Sequence, residues 1–236
     1  MRFVVRSREG LQRIRAALPR LRVLLPSAGV VTVNLLPEHK AVLEGEEEVV
    51  LTDERLLPMR LGAVTLLLGP RAFFQTNTGV ARHLYAQARD WADDLAPATV
   101  WDLYCGVGGF ALHLSAPGRR VVGVETSPEA VDAARAAAAA GGHAATFVTG
   151  DATAGPPPGP APDLVVVNPP RRGLGPDLAA WLEGSAAAHV VYSSCDASSL
   201  ARDLAAMPSL RPVAGRVADM FPQTRHVEVL LLLARR

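Results

Sequence analysis

Apolar and polar positions alternate in two different rhythms along this chain, and the change falls near Pro97. Beyond it, short continuous apolar runs alternate with amphipathic stretches. The runs Val100–Tyr104, Val121–Glu125, Thr146–Val148, Leu164–Val167 and Val190–Tyr192 predict strands. Gly109–Ser115, Pro128–Ala140 (proline at its first turn) and a segment near Asp177–Ala187 predict helices between them. Strands that are apolar on both faces and separated by helices predict a parallel, doubly wound sheet. Two late segments, Arg216–Phe221 and Val227–Leu233, close the chain, and Gly155–Pro162 is a proline-rich loop.

Before Pro97 the rhythm is that of a smaller α+β unit. Phe3–Val5 is apolar, and Leu11, Ile14, Leu18 and Leu21 share one helical face that Pro19 is expected to limit. Val30–Leu36, Ala41–Leu43 and Val49–Leu51 predict strands, and the acidic run 44–48 a solvated hairpin turn. Val64–Leu68 predicts another strand. Val80, Leu84, Ala88, Trp91 and Leu95 mark a helix face, with Asn77 or Thr78 as its cap. The expected division is a small α+β domain over 1–62 and a larger α/β domain over 63–236.

Composition narrows the classes. Of 236 residues, 49% are hydrophobic and 20% charged, which suits a globular chain with an ample core. Cys105 and Cys195, the only cysteines, allow no disulfide framework and no cysteine-based metal site, so no metal is expected and a reducing cytoplasm is the predicted compartment. The start lacks a signal-peptide pattern, and no apolar run reaches membrane-spanning length. A net charge of +1 does not announce a nucleic-acid partner by itself.

Three stretches carry candidate chemistry. In Trp101–Phe110, a strand runs into a glycine-rich turn, and Glu125 follows about 20 residues on, where an acid can accept hydrogen bonds from ribose hydroxyls. Gly106, Gly108 and Ala111 also satisfy the dinucleotide fingerprint, so NAD competes as a ligand. Asp102 ahead of the loose glycine loop favours a nucleoside cofactor without pyrophosphate, such as S-adenosylmethionine. In Asp163–Gly173, an apolar strand ends at Asn168, two prolines stiffen the loop, and Arg171 and Arg172 follow, suited to phosphate or carboxylate. In Met220–Glu228, period-2 alternation is expected to put His226 and Glu228 on one strand face, with Glu228 beside apolar surroundings that raise a carboxyl pKa.

Cys195 ends the apolar strand and precedes Asp196, an N-cap for a helix through Leu200 and Leu204. By position alone it reads as a small buried hydrophobe. A helix N-terminus can equally stabilise a thiolate.

Together FFQTN (73–77), DLYCGVGGF (102–110), VVNPPRRG (166–173), YSSC (192–195), LARDL (200–204) and MFPQTRHVE (220–228) resemble, in order and spacing, the bacterial RNA uracil-5-methyltransferases of 23S rRNA and tRNA. Asn168 at the head of its loop is most similar to the subgroup modifying the uridine near position 747 of 23S rRNA. The resemblance implies a Rossmann-like S-adenosylmethionine-dependent methyltransferase sheet, with cofactor contacts from Gln75, Tyr104, Gly106, Glu125 and Asn168. It implies Cys195 as nucleophile and Glu228 as base. Phe74, Arg171 and Phe221 are candidates to hold the unstacked uridine. The implied partner is RNA, 23S rRNA first and tRNA second, with the protein a monomer. Relatives carry a four-cysteine iron–sulfur segment before the central domain, and this chain is expected to start within that domain. Two other readings stay open: an amino-methyltransferase acting on RNA, and a cofactor- or RNA-binding remnant without activity.

Overall fold

The computed structural model describes residues 1–38, 41–153 and 161–236, so most of the proline-rich loop predicted at 155–162 lies outside the described residues. The chain forms two compact units, Met1–Pro58 with Leu68–Arg71, and Met59–Leu67 with Ala72–Arg236.

In the first unit, β1 (Arg2–Val5) pairs in parallel with β2 (Thr32–Leu35), and α1 (Arg8–Leu24) connects them. The Ser7 side chain caps α1 by accepting from the Gly10 amide at 3.3 Å. Leu11 packs with Val33 and Leu35 in the unit's small core. Pro19 does not limit α1, which runs five residues past it. Proline removes one backbone donor and fixes a φ that helices already use, so an otherwise regular helix can carry it through. The strand expected at 41–43 is absent. Those residues form a bend with Val42 and Leu43 exposed, and β3 (Glu47–Val50) takes the place beside β2. The acidic run is therefore partly strand, and its charges are paired: Glu44 and Glu48 with Arg2, and Glu47 with Arg8.

The strand predicted at Val64–Leu68 is present as β5 (Val64–Leu68), and a strand not foreseen from the pattern, β4 (Leu57–Leu61), pairs with it in a hairpin that turns at Gly62 with φ +68°. The second unit continues with α2 (Thr78–Leu95), capped by the Asn77 side chain on the Val80 amide. It then follows the β-α rhythm: β6 (Thr99–Leu103), α3 (Gly109–His113), β7 (Arg120–Glu125), α4 (Pro128–Gly141), β8 (Ala145–Thr149), β9 (Leu164–Val167), α5 (Pro176–Gly184), β10 (His189–Ser194), α6 (Ala197–Ala205), β11 (Leu210–Ala218) and β12 (Glu228–Arg235).

These strands form one seven-stranded sheet in the order β11-β12-β10-β9-β6-β7-β8. Trp101 and Leu103 of β6 join one core cluster with Val165, Val167, Leu178, Leu182 and Leu200, while Val100 and Asp102, pointing the other way, are equally buried. Both faces are covered. The sheet is not wholly parallel: β12 runs antiparallel to both β10 and β11. β11 also starts six residues before the predicted Arg216, and Met220 and Phe221 lie beyond its end. Its exposed, proline- and glycine-containing sequence hides an edge strand from any periodicity argument. The order reverses between β6 and β9, at whose carboxyl ends an open α/β sheet binds ligands.

Candidate active site

The turn after β6 is built for close approach. Tyr104 adopts φ +68°, Gly106 +54° and Gly108 +87°. A Cβ on Gly108 would sit 3.0 Å from the Phe147 ring, whereas one on Gly106 would meet nothing within 4 Å. Gly108 is thus fixed by packing, and Gly106 leaves open space. The Gly106 amide donates to Glu125 Oε2 at 3.1 Å, and Glu125 Oε1 accepts from the Ser127 amide and the Thr126 hydroxyl, both at 2.9 Å. Glu125 therefore stands at the end of β7 as predicted, held by the turn it faces.

Asp102 is fully buried. Its Oδ2 accepts from the Ala111 amide at 2.8 Å, while its Oδ1 has no hydrogen-bond partner among the described residues. Burial pushes its pKa up to about 7. The Tyr104 hydroxyl is likewise buried and unpartnered among the described residues. Tyr104 lines the cleft at this glycine turn, where a ligand with its own hydrogen-bonding groups could complete the phenol.

Gln75, Tyr104, Gly106 and Asn168, together with Phe74, line a single cleft, which Tyr85 and Phe110 also border. Sequence reasoning missed Tyr85. It stacks on His113 at 4.8 Å and meets the Phe110 ring edge-on at 4.9 Å. A Cβ on Gly109 would lie 2.5 Å from its hydroxyl. Burial first, then the charges of Asp102 and Glu228, hold its phenol protonated. Only its place next to Leu84 on the apolar face of α2 could have signalled it.

The second cluster sits at the ends of β10 and β12. The antiparallel register pairs Ser193 with Leu230 and Ser194 with Val229, where β10 ends; Cys195 follows in the bend before α6, near enough to Glu228 at the start of β12 for the carboxylate charge to act on the thiol. Glu228 is buried, and the Ser193 hydroxyl donates to its Oε1 at 2.5 Å. Burial raises the Glu228 pKa and the Ser193 hydrogen bond moderates the rise. His226 does not join Glu228 on the strand. It precedes β12, is exposed, and meets the Phe221 ring edge-on at 6.5 Å.

Cys195 is half-buried, and its thiol is held above the ordinary value by burial and then by the Glu228 charge. The nearby Arg171 guanidinium opposes both. Burial and the Glu228 charge outweigh the groups that lower it. The Asp196 carboxylate caps α6 by accepting from the Ser199 amide at 2.8 Å, which meets the first-turn positive end with a negative charge of its own. Phe221 lies apart from the cleft, in a second hollow with Thr76, Asn77 and Pro222. Among the described residues no group of three His, Cys, Asp or Glu could hold a metal ion.

A glycine turn backed by an acid at the end of β6, with Glu125 at the end of β7, defines an α/β domain of the methyltransferase type, and residues 100–184 match the family described as "Methyltransferase domain". Over its whole length the chain is 46% identical, across 244 residues, to the 23S rRNA (uracil(747)-C(5))-methyltransferase RlmC of Cronobacter sakazakii, and 47% identical across 240 residues to that of Salmonella arizonae. It is a homologue of these RNA uracil-C5 methyltransferases, and it spans 63% of their length. Among solved structures, the tRNA (uracil-54, C5)-methyltransferase of Pyrococcus abyssi, in complex with S-adenosyl-L-homocysteine, is similar with a TM-score of 0.74 at 27% identity. The match covers 87% of this chain and 51% of that one. No helix among the described residues is long and apolar enough to cross a membrane.

Proposed function

We propose that the protein transfers a methyl group from S-adenosylmethionine to C5 of a uridine in RNA, 23S rRNA being the favoured substrate, with Cys195 as nucleophile and Glu228 as base. The observation that carries this reading is the nearness of the Cys195 thiol, just past the end of β10, to the buried Glu228 carboxylate at the start of β12, in the same sheet that bears the cleft of Gln75, Tyr104, Gly106 and Asn168.

The cleft fits the cofactor. The phenol of Tyr104 suits a ligand bearing an amine and hydroxyls, and Gly106 leaves space for it. Glu125 is placed for ribose hydroxyls. When bound there, S-adenosylmethionine supplies an electrophilic methyl group on a sulfonium.

The protein's residues supply the rest. Uracil C5 is a weak nucleophile until the Cys195 thiolate adds to C6, breaking the C5–C6 double bond and leaving enolate density at C5. Arg171 favours the thiolate form needed for that addition. After C5 is methylated, Glu228 removes the C5 proton, the C5–C6 double bond re-forms, and the C6–S bond breaks to release Cys195. A carboxylate raised by burial suits that proton transfer. Arg171, Phe74 and Phe221 are the side chains we assign to holding the unstacked base. The first unit is the part we assign to face RNA.

The test is incubation with 23S rRNA fragments and methyl-labelled cofactor, followed by nucleoside analysis. Label in 5-methyluridine, lost in Cys195→Ala, supports the reading. Label in a methylated amine, or undiminished transfer by Cys195→Ala, overturns it.

A further inference from the structure

The LARDL stretch contains a buried carboxylate that the mechanism above does not use. Asp203 lies on the inner side of α6 and is 4% exposed. Its Oδ2 accepts from the Tyr192 hydroxyl at 2.6 Å and from the Leu174 amide at 2.8 Å. One oxygen therefore joins three segments: β10 just before Cys195, the helix just after it, and the far end of the loop that begins at Asn168.

The loop's own geometry says why that anchor matters. The Gly173 amide donates to the Pro170 carbonyl at 2.9 Å, so residues 170–173 form a turn with Arg171 and Arg172 at its centre. Gly173 leaves the turn with φ +84°, and a Cβ there would lie 2.4 Å from Asp203 Oδ2. Only glycine lets the turn rest against the carboxylate. The neighbouring Arg202 fastens the same turn by donating to the Arg172 carbonyl at 2.5 Å. Pro169 and Pro170 stiffen its entry. A turn pinned at both ends fixes where Arg171 can reach, and the Arg171 charge lies near enough to Cys195 to favour its thiolate.

We propose that Asp203 is a positioning residue that holds the Pro170–Gly173 turn so that Arg171 stays on the Cys195 thiol. The proposal rests on the reading of Cys195 as nucleophile for its functional meaning, but not for its test.

The test is the pH dependence of Cys195 alkylation by iodoacetamide in the full chain, with the site mapped by peptide mass analysis to separate it from buried Cys105. It needs neither RNA nor cofactor. Arg171→Ala and Asp203→Ala should both raise the alkylation midpoint, slowing the reaction about threefold to tenfold below it, since one pKa unit is tenfold in thiolate. Asp203→Asn should recover most of the wild-type profile, because one amide oxygen can accept both bonds. Gly173→Ala, which moves the turn without altering the carboxylate, should resemble Arg171→Ala, and it decides the matter if Asp203→Ala does not fold. A wild-type profile in Asp203→Ala or Gly173→Ala overturns the proposal, as does a wild-type profile in Arg171→Ala. If the shifts occur but the wild-type protein methylates no RNA, the functional reading has failed and the positioning role stands.

Discussion

Replacing Ser193 with alanine removes the hydroxyl that donates to Glu228 Oε1 at 2.5 Å while changing the volume of a fully buried site very little. A hydrogen bond to an ionised partner contributes about 1.5–3 kcal/mol. Here that contribution favours the carboxylate over the carboxylic acid, against the burial that raises the Glu228 pKa. Its loss should therefore raise the Glu228 pKa further, and that much free energy is about a tenfold to hundredfold change in the carboxylate-to-acid ratio. The base is then protonated over a wider range, and removal of the C5 proton slows about tenfold to a hundredfold at pH values below the new midpoint. The assay is single-turnover formation of 5-methyluridine as a function of pH. Ser193→Ala should show its acid limb displaced to higher pH, with the wild-type rate regained at high pH. A Ser193→Ala profile that parallels the wild type, whether equal or lowered by a constant factor at every pH, refutes the assignment of Ser193 as the group that keeps Glu228 ionised.

Asp102 predicts a pH dependence of stability. Its folded pKa of about 7 lies above the ordinary 3.8, so the folded protein keeps a proton that the unfolded chain releases. Stability should fall as pH rises from about 4 to about 7 and level off beyond, by at most about 4 kcal/mol, and Asp102→Asn should flatten the curve in denaturant titrations. The two loop glycines should separate. Gly108→Ala meets the Phe147 ring at φ +87° and should lower the melting temperature by several degrees, on the order of 2–8 °C. Gly106→Ala meets nothing at φ +54° and should cost less stability, but it should weaken S-adenosylmethionine binding in a calorimetric titration.

The central strands β9 and β10 were legible because their apolar runs answer to burial on both faces, whereas β8, an edge strand with only Phe147 buried, shows a short run of mixed character. The cleft was legible for a related reason. Glycines, an acid ahead of them and Glu125 behind them are short-range features of one β-α-β unit, and the resemblance supplied Gln75 and Asn168 from other segments. Hidden features depended on tertiary partners. Pro19 looked like a stop because a one-dimensional pattern cannot tell a tolerated lost donor from a forbidden one. The segment 41–43 looked like a strand because it is apolar, but β2 pairs with the charged residues 47–50, whose glutamates find Arg2 and Arg8. Ser193, Tyr85 and Asp203 were passed over as ordinary helix or strand residues. Each acquires its role through a residue at least 11 positions away, with Glu228 35 positions from Ser193. The electrostatics of Cys195 were misjudged in the same way: the helix start was visible, but the burial, the Glu228 charge and the opposing Arg171 were not.

The most direct measurement of the central claim uses Glu228→Gln with a 23S rRNA fragment and methyl-labelled S-adenosylmethionine, resolved by denaturing electrophoresis. With C5 methylated but its proton retained, the C6–S bond cannot break. The account therefore predicts a protein–RNA band that carries the methyl label and disappears when Cys195→Ala is added. Free, fully methylated RNA released by Glu228→Gln at the wild-type rate, or a labelled adduct that persists without Cys195, would contradict it.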